Sequence, residues 1–283
     1  MIIDFHTHVF PDAIAPAAIG KLQANSHILP FSDGTLEGLR AGMAAGGVDV
    51  SVVLPVATGA KQVPHINDSA IRLNRQAGET GVYSFGGMHP DFPDWEKEME
   101  RLAAAGVRGI KLHPPYQGVD LDDPRYIRIF KKASRLGMLV ITHAGLDVGL
   151  PGAEEAAPEK ILRAVEKAPD TPLILAHMGG WRCWDEVEKL LPGAGVYLDT
   201  SFALGKLTPN GDGHYKNEKD LEMLGEEQFL RLVFLFGADH ILFGTDSPWA
   251  DPAAYLQSIR DLPLPEADLQ AILGGNAERL LFV

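Results

Sequence analysis

The sequence predicts an α/β protein whose single domain, residues 1–283, is a (β/α)8 TIM barrel. Three observations predict this fold. The chain has 283 residues, and such barrels typically need ~250. Short apolar runs alternate with longer amphipathic segments, and no Gly/Ser linker or internal repeat divides the chain. An open, doubly wound sheet is the alternative that this pattern also allows.

The predicted strands are eight runs rich in Val, Ile, Leu or Phe. In order they are residues 2–8, 48–55, 82–89, 107–113, 138–143, 172–177, 195–201 and 241–246. Most lack strict alternation of polar and apolar residues, which is typical of a parallel sheet covered on both faces. The eight runs therefore suit a barrel with an outer layer of helices.

Predicted helices separate the strands and complete the chain. They are residues 36–45, 66–79, 95–105, 124–136, 158–167, 184–191, 226–236, 252–260 and 266–273. The fourth has the plainest signals: Asp123 is an N-cap, Pro124 follows it, and Gly137 ends the helix. Proline suits the first turn of a helix and glycine suits the position just beyond its end.

Charge and cysteine content restrict the classes of partner. The formal net charge is −13 at pH 7, which argues against nucleic acid or an anionic membrane surface as the main partner. Cys183 is the single cysteine, so no intrachain disulfide forms. We see neither a signal peptide nor an apolar run approaching ~20 residues. We therefore expect a cytoplasmic protein that acts on a small molecule; self-association stays open.

Histidines collect where the predicted strands end. His6 and His8 are two apart in the first strand, so their side chains share a face. His89, His113, His143 and His177 each end a later strand. The carboxyl ends of barrel strands form the catalytic face, so this clustering predicts a metal site. Ordinary core histidines are the alternative.

Asp246 ends the eighth predicted strand. An acid at this place projects toward the same face as the histidines. It could instead cap the next helix, but Asp251 before Pro252 already supplies that cap. We therefore expect a catalytic role for Asp246.

Five segments together carry a family resemblance. They are Asp4 to His8, Gly109 to Pro114, His143, Leu175 to Gly180, and Leu242 to Pro248. From residue 4 to about residue 280 the chain resembles the amidohydrolase superfamily. It is most similar to the amidohydrolase-2 branch, which is related to aminocarboxymuconate-semialdehyde decarboxylase. That branch includes hydrolases, lactonases and aromatic-acid decarboxylases.

The resemblance implies roles for individual residues. It makes His6, His8, His143 and Asp246 the ligands of one divalent metal ion, usually zinc and sometimes manganese. It makes His177 a general base or a group that polarises the substrate. Imidazole and carboxylate ligands suit catalytic zinc on chemical grounds as well.

Two basic residues and one histidine near the same face are predicted to contact the substrate. They are Lys111, Arg182 and His113. For Lys111 two other roles stay open. Binuclear members of the superfamily carry a carboxylated lysine that bridges two metals, and a buried lysine is usually part of a structural ion pair. Arg182 could bind a substrate carboxylate or lie in solvent at a helix start.

The resemblance favours hydrolysis of a small amide, lactone or ester-like bond, because the chain is short and Lys111 with His113 is similar to small hydrolase-like members of the branch. Metal-activated water would attack, Asp246 would accept its proton, and His177 would help stabilise the oxyanion. The alternative is a metal-dependent, non-oxidative decarboxylase of an aromatic or enoic acid. Phosphoester hydrolysis and binding without turnover fit the sequence less well. The segment 202–225, after the seventh strand, is predicted to cover the pocket or to be a surface loop.

Overall fold

A computed structural model describes residues 1–282 of the chain. Its strands lie inside the predicted runs, and they are shorter: β1 Ile3–Thr7, β2 Val50–Val53, β3 Val82–Ser84, β4 Gly86–Gly87, β5 Gly109–Leu112, β6 Leu139–Thr142, β7 Leu173–Leu175, β8 Tyr197–Asp199 and β9 Ile241–Leu242. The third predicted run is interrupted at Phe85, which separates β3 from β4. The polar residues that end several runs lie in the loops that follow.

The strands pair in parallel and in chain order, as β1-β2-β3 and as β4 through β9. Phe85 continues the chain from one sheet to the other, and its N–H donates to the carbonyl of Val53 at 3.0 Å. At the opposite side, the N–H of Phe5 donates to the carbonyl of Phe243 at 2.8 Å. Thr7 also pairs with Ser247. Backbone hydrogen bonds thus place β9 beside β1 and complete the ring.

The helices surround the strands. They are α1 Ala15–Ser26, α2 Leu36–Gly46, α3 Val63–Asn74, α4 Ala77–Thr80, α5 Trp95–Ala104, α6 Pro114–Gln117, α7 Pro124–Arg135, α8 Pro158–Lys167, α9 Trp184–Leu190, α10 Glu218–Leu221, α11 Glu226–Phe236, α12 Pro252–Arg260, α13 Glu266–Gln270 and α14 Asn276–Leu281. The Asp123 side chain accepts from the N–H of Arg125, as its predicted N-cap role requires.

Several helices differ from the sequence-based prediction, which also lacked the short helices α6 and α10. We did not predict α1, because its few buried residues leave a weak apolar stripe. The second predicted helix is divided into α3 and α4. The last continues through a π-helical turn, Ala271–Gly275, into α14. A Cβ at Gly274 would clash with the carbonyl oxygen of Met1, so glycine allows this turn to approach the start of the chain closely.

The apolar interior gives way to polar groups along the strands. Phe5, Ile141 and Leu242 belong to one buried cluster, and His143 and Asp246 follow the last two along the chain. In β1 the pairing register with β2 shifts between Asp4 and Thr7. Such a bulge re-aims side chains and is frequent beside active sites. The fold therefore brings the ends of several strands to one polar site above an apolar core.

Candidate active site

His6 in β1, His8 just after it and Asp246 after β9 bring their ligand atoms together. Nε2 of His6 lies 3.2 Å from Nε2 of His8. Oδ1 of Asp246 lies 3.0 Å from His8 Nε2 and 3.5 Å from His6 Nε2. Burial alone would raise the pKa of Asp246, but contact with His8 and the charge that both imidazoles can take up hold it below its usual range. These three residues form a group that could hold one metal ion.

Each histidine is anchored through its other ring nitrogen. Nδ1 of His6 donates to Oδ2 of Asp199 at 2.8 Å, and Nδ1 of His8 donates to the carbonyl of Leu54 at 2.7 Å. These partners assign the ring hydrogens to Nδ1, so the two Nε2 atoms present lone pairs to each other. Burial and the charge of Lys111 lower the pKa of His6 well below its ordinary value, which disfavours a second proton. A divalent metal ion fits here because it would relieve this repulsion.

The fourth predicted ligand, His143, faces a second group. Its Nε2 donates to the carbonyl of Leu146 at 2.9 Å, and its Nδ1 lies 3.1 Å from Nε2 of His177. Its ring stacks on His113, with centroids 4.4 Å apart. His113, His143 and Asp147 form another group that could hold a metal. The structure thus brings three predicted ligands together and turns the ring of His143 toward this second group.

His177 lies between the two groups. Its ring centroid is 5.4 Å from that of His6 and 4.9 Å from that of His143. Nδ1 of His177 donates to the carbonyl of Ser201 at 2.8 Å, and its backbone N–H donates to Asp199 at 3.0 Å. Burial, followed by the proximity of His143, lowers the pKa of His177 to about 4. This residue is therefore a buried imidazole within reach of both groups.

The backbone is left-handed at two of these residues. The φ angle is 59° at His177 and 64° at Asp246. Residues other than glycine rarely adopt such angles, and each instance costs on the order of 1–3 kcal/mol. Strain of this kind is typical of functional sites, where surrounding structure holds a side chain in a set direction.

Lys111 reaches the first group. Its Nζ lies 3.2 Å from Nε2 of His6, and the side chain is fully buried. Burial lowers the pKa of Lys111 to about 8, against the charges of Asp199 and Asp246, which raise it. The contact is with an imidazole rather than with the carboxylate that a structural ion pair would require. This position keeps the substrate-contacting role and the bridging role open for Lys111.

Two acids of the site were not predicted from the sequence. Asp199 supports His6 from the end of β8, directly after Leu198, and an acid near the end of a predicted strand was a signal that could have identified it. Asp147 follows His143 by four residues, and its Oδ2 lies 3.5 Å from Nε2 of His113. Burial raises the pKa of Asp147 to about 6. An acid just beyond a predicted catalytic histidine was the available signal for Asp147.

The predicted substrate contact of Arg182 is not supported by its position. Its Nη2 donates to the carbonyl of Asp220 at 2.7 Å, and its guanidinium lies 5.0 Å from the ring centroid of Trp181. Trp181, unlike Arg182, lines the cavity. Gly145 positions this tryptophan: its φ is 82°, and a Cβ there would clash with the backbone of Trp181. Arg182 therefore points outward and holds the segment around α10.

A cavity of about 200 Å³ opens above the two groups. The site histidines, Lys111, Asp147 and Asp246 form its polar wall. Its remaining wall is mostly apolar and includes Val9, Phe10, Leu22, Ile28, Leu54, Val56, Leu146, Val148, Trp181, Phe202 and Trp249. A site of this kind suits a small, largely apolar molecule whose polar end is held by the polar wall of the cavity.

The segment 202–225 contributes Phe202 to this cavity. Beyond it, Leu204 pairs with Leu224, and Pro209 pairs with Ile28 just after α1. The segment therefore folds back on itself and is fastened to a neighbour whose residues also line the cavity. Whether it governs access stays a prediction.

A model of the family described as amidohydrolase matches residues 3–283. The chain belongs to the amidohydrolase family. Within the described residues of this family member, no helix is both long and apolar enough to cross a membrane.

Three known proteins are similar to this amidohydrolase. Over 208 residues, 65% of the chain, it is 25% identical to 2-amino-3-carboxymuconate-6-semialdehyde decarboxylase of Dictyostelium discoideum, and the match spans 56% of that relative. The solved 2,6-dihydroxybenzoate decarboxylase, in complex with 2,6-dihydroxybenzoate, has a TM-score of 0.69 at 16% identity, covering 100% of this chain and 99% of that one. The 5-carboxyvanillate decarboxylase of Novosphingobium aromaticivorans, with manganese and 4-hydroxy-3-methoxy-5-nitrobenzoic acid, has a TM-score of 0.70 at 14% identity, covering 100% and 96%.

These comparisons confirm the predicted family and the predicted (β/α)8 TIM-barrel fold. They also correct one prediction. Hydrolysis of an amide, lactone or ester-like bond was wrong as the main expectation, because the three similar proteins described above are named as decarboxylases. The residues that suggested metal-activated water are equally able to serve the loss of carbon dioxide.

Proposed function

We propose that this chain is a metal-dependent, non-oxidative decarboxylase of a small aromatic or enoic acid. The observation that carries the proposal is the convergence of His6, His8 and Asp246 at one end of a largely apolar cavity. A polar end would hold the acid group and the apolar walls would hold the rest of the molecule. The named activities of the similar proteins support this reading over hydrolysis.

The reaction breaks the bond between the carboxylate carbon and its neighbour. The electron pair stays on the neighbouring carbon, carbon dioxide leaves, and one proton is added to that carbon. A divalent metal held by His6, His8 and Asp246 would supply positive charge to orient the oxygen atoms of the acid. Zinc suits these ligands, and manganese is bound by a similar decarboxylase.

We assign the role of proton donor to His177. Its Nδ1 hydrogen faces the carbonyl of Ser201, and the Nε2 hydrogen of His143 faces the carbonyl of Leu146. The remaining nitrogens, 3.1 Å apart, both present lone pairs unless they share one further proton. Burial lowers the pKa of His177 to about 4, so the imidazole is mostly neutral at pH 7 and is a strong acid once it has taken up a proton. We assign this proton to the carbon that loses carbon dioxide.

The apolar walls of the cavity assist decarboxylation by destabilising the negative charge of the substrate carboxylate. An ionised carboxylate is costly in an apolar environment, whereas carbon dioxide is neutral. Val9, Ile28 and Phe202 are among the side chains that exclude water around the substrate. The ground state is thereby raised relative to the product, provided that the polar end holds the acid in place.

Metal-loaded protein incubated with 2,6-dihydroxybenzoate, the acid in the name of a similar protein, and with simpler ring acids tests the proposal. We expect release of carbon dioxide, and in D2O one deuterium at the vacated carbon. His177→Asn should reduce release ~10²-fold or more at unchanged metal content. The proposal is overturned if no acid loses carbon dioxide while amides, lactones or esters are hydrolysed.

A further inference from the structure

The cavity contains very little positive charge. Among the lining residues that the structure describes, Lys111 is the single lysine or arginine. The Nζ of Lys111 already contacts Nε2 of His6, at 3.2 Å. Arg182, the other candidate cation, points outward to the carbonyl of Asp220. A negative group on the far side of a bound substrate would therefore find no cation in the cavity wall.

The wall of the cavity also carries a negative group, Asp147. Oδ1 of Asp147 accepts from the N–H of Gly149 at 2.8 Å, which fixes the carboxyl at the cavity wall. Its Oδ2 lies 3.5 Å from Nε2 of His113 and 3.9 Å from Nε2 of His143. A second carboxylate on the substrate would meet this charge in a medium that screens it poorly.

The size of the cavity points to a small molecule. An apolar cavity of about 150 Å³ accommodates a benzene ring, and this one measures about 200 Å³. It therefore has room for one ring with a few small substituents. Leu22, Val56 and Val148 line it and offer apolar contact to those substituents.

We infer that the substrate is a single-ring acid with one carboxylate and otherwise neutral substituents, and that the cavity rejects a second carboxylate. The inference rests on the proposed decarboxylase activity and specifies its substrate class. Two features disfavour a second substrate carboxylate. The cavity wall lacks a cation to pair with it, and the carboxylate of Asp147 repels it.

Three matched probes separate charge from size: salicylate, salicylate with a carboxamide para to the hydroxyl, and salicylate with a carboxylate at that same place. Binding to the metal-loaded protein is measured by calorimetry at mildly alkaline pH. The carboxamide and the carboxylate have nearly the same shape, so their difference reports charge. We expect the carboxamide to bind at least about tenfold more tightly than the second carboxylate.

Two changes should alter this ratio. Asp147→Asn removes the repelling charge and should reduce the ratio severalfold. Leu22→Arg adds a cation at the cavity wall and should bring the ratio to one or below, whereas the matched Leu22→Gln should leave it as in the wild type. Folding of each variant is checked by its thermal transition.

The outcomes distinguish the two proposals. Equal or tighter binding of the second carboxylate by the wild type, or failure of all three probes to bind, overturns the inference. If the probes bind with the expected ratio but no ring acid releases carbon dioxide, the substrate class holds and the decarboxylase activity fails.

Discussion

Oδ2 of Asp199 lies 2.8 Å from Nδ1 of His6, so a carboxylate at the end of β8 holds an imidazole of β1. The same side chain accepts from the backbone N–H groups of His177 and Ser201. Asp199 thus fixes the tautomer of one proposed metal ligand and the position of the proposed proton donor. Supporting groups of this kind raise the basicity of the ligand and set its direction.

Asp199→Asn should weaken metal binding ~10–100-fold, as loss of such a supporting carboxylate typically does. The amide can no longer accept the Nδ1 hydrogen with a full negative charge, so His6 loses its preferred tautomer. Competition against a fluorescent chelator measures the change. Asp68→Asn, which removes the same charge from a half-exposed surface residue, should bind metal as the wild type does. Equal affinity in both variants would contradict the role of Asp199.

Asp246 and His177 should differ in what they do for the metal. Asp246→Asn should lower both metal content and turnover, because an amide coordinates weakly and cannot accept a proton. His177→Asn should keep its metal and lose ~10²-fold or more in turnover. Elemental analysis beside rate measurement decides this. Loss of metal from the His177 variant would make it a ligand and favour a binuclear site.

Trp181 should contribute a hydrogen bond to the bound substrate. It lines the cavity, and its buried indole N–H has no partner among the described residues. A buried donor without an acceptor is costly, so a substrate oxygen suits it. Trp181→Phe should raise KM about 2- to 10-fold, as loss of one neutral hydrogen bond does, with kcat nearly unchanged. An unchanged KM for every oxygen-bearing acid would exclude this contact.

His89 should make stability depend on pH. It is buried, and its Nδ1 accepts from the N–H of Asp91 at 3.1 Å. Burial lowers the pKa of His89 from 6.5, against the charge of Asp91. Below about pH 6.5 the unfolded chain therefore binds a proton that the folded chain refuses, and stability falls as pH falls.

His89→Asn tests this prediction, because an asparagine oxygen can accept from the same N–H and does not titrate. The variant should lose less thermal stability than the wild type on acidification. His240→Asn is the control, since the His240 side chain is 37% exposed, where it contacts its neighbour Asp239 and stacks on Tyr197. Parallel stability curves for wild type and His89→Asn would contradict the assignment.

Much of the fold could be predicted from the sequence because strand runs are long, apolar and evenly interrupted. Residues 138–143, for example, contain only apolar residues before Thr142 and His143. The helix α1 could not be predicted, since few of its residues are buried and its apolar stripe is weak. The interruption of the third predicted strand at Phe85 could not be predicted either, because it depends on which neighbouring strand accepts each backbone hydrogen bond.

The site was partly predictable for a similar reason. The spacing of His6 and His8 indicated a shared direction, yet their convergence lies beyond a register shift in β1 that no pattern revealed. The outward direction of Arg182 depends on a left-handed residue, with φ of 60°, and on the carbonyl of Asp220, which lies far along the chain. Hydrolysis and decarboxylation draw on the same ligand types, so the residues alone favoured neither decisively.

The seam between β9 and β1 has a consequence for how the protein matures. Asp246 donates its backbone N–H to the carbonyl of His6, so groups 240 positions apart in the chain complete one site. At ~5–20 residues per second, a ribosome adds Asp246 about 12 to 48 s after His6. A nascent chain therefore exposes two histidines long before their carboxylate partner exists. Binding of the proposed metal ion by all three residues therefore requires the end of synthesis, when the last strand closes against the first.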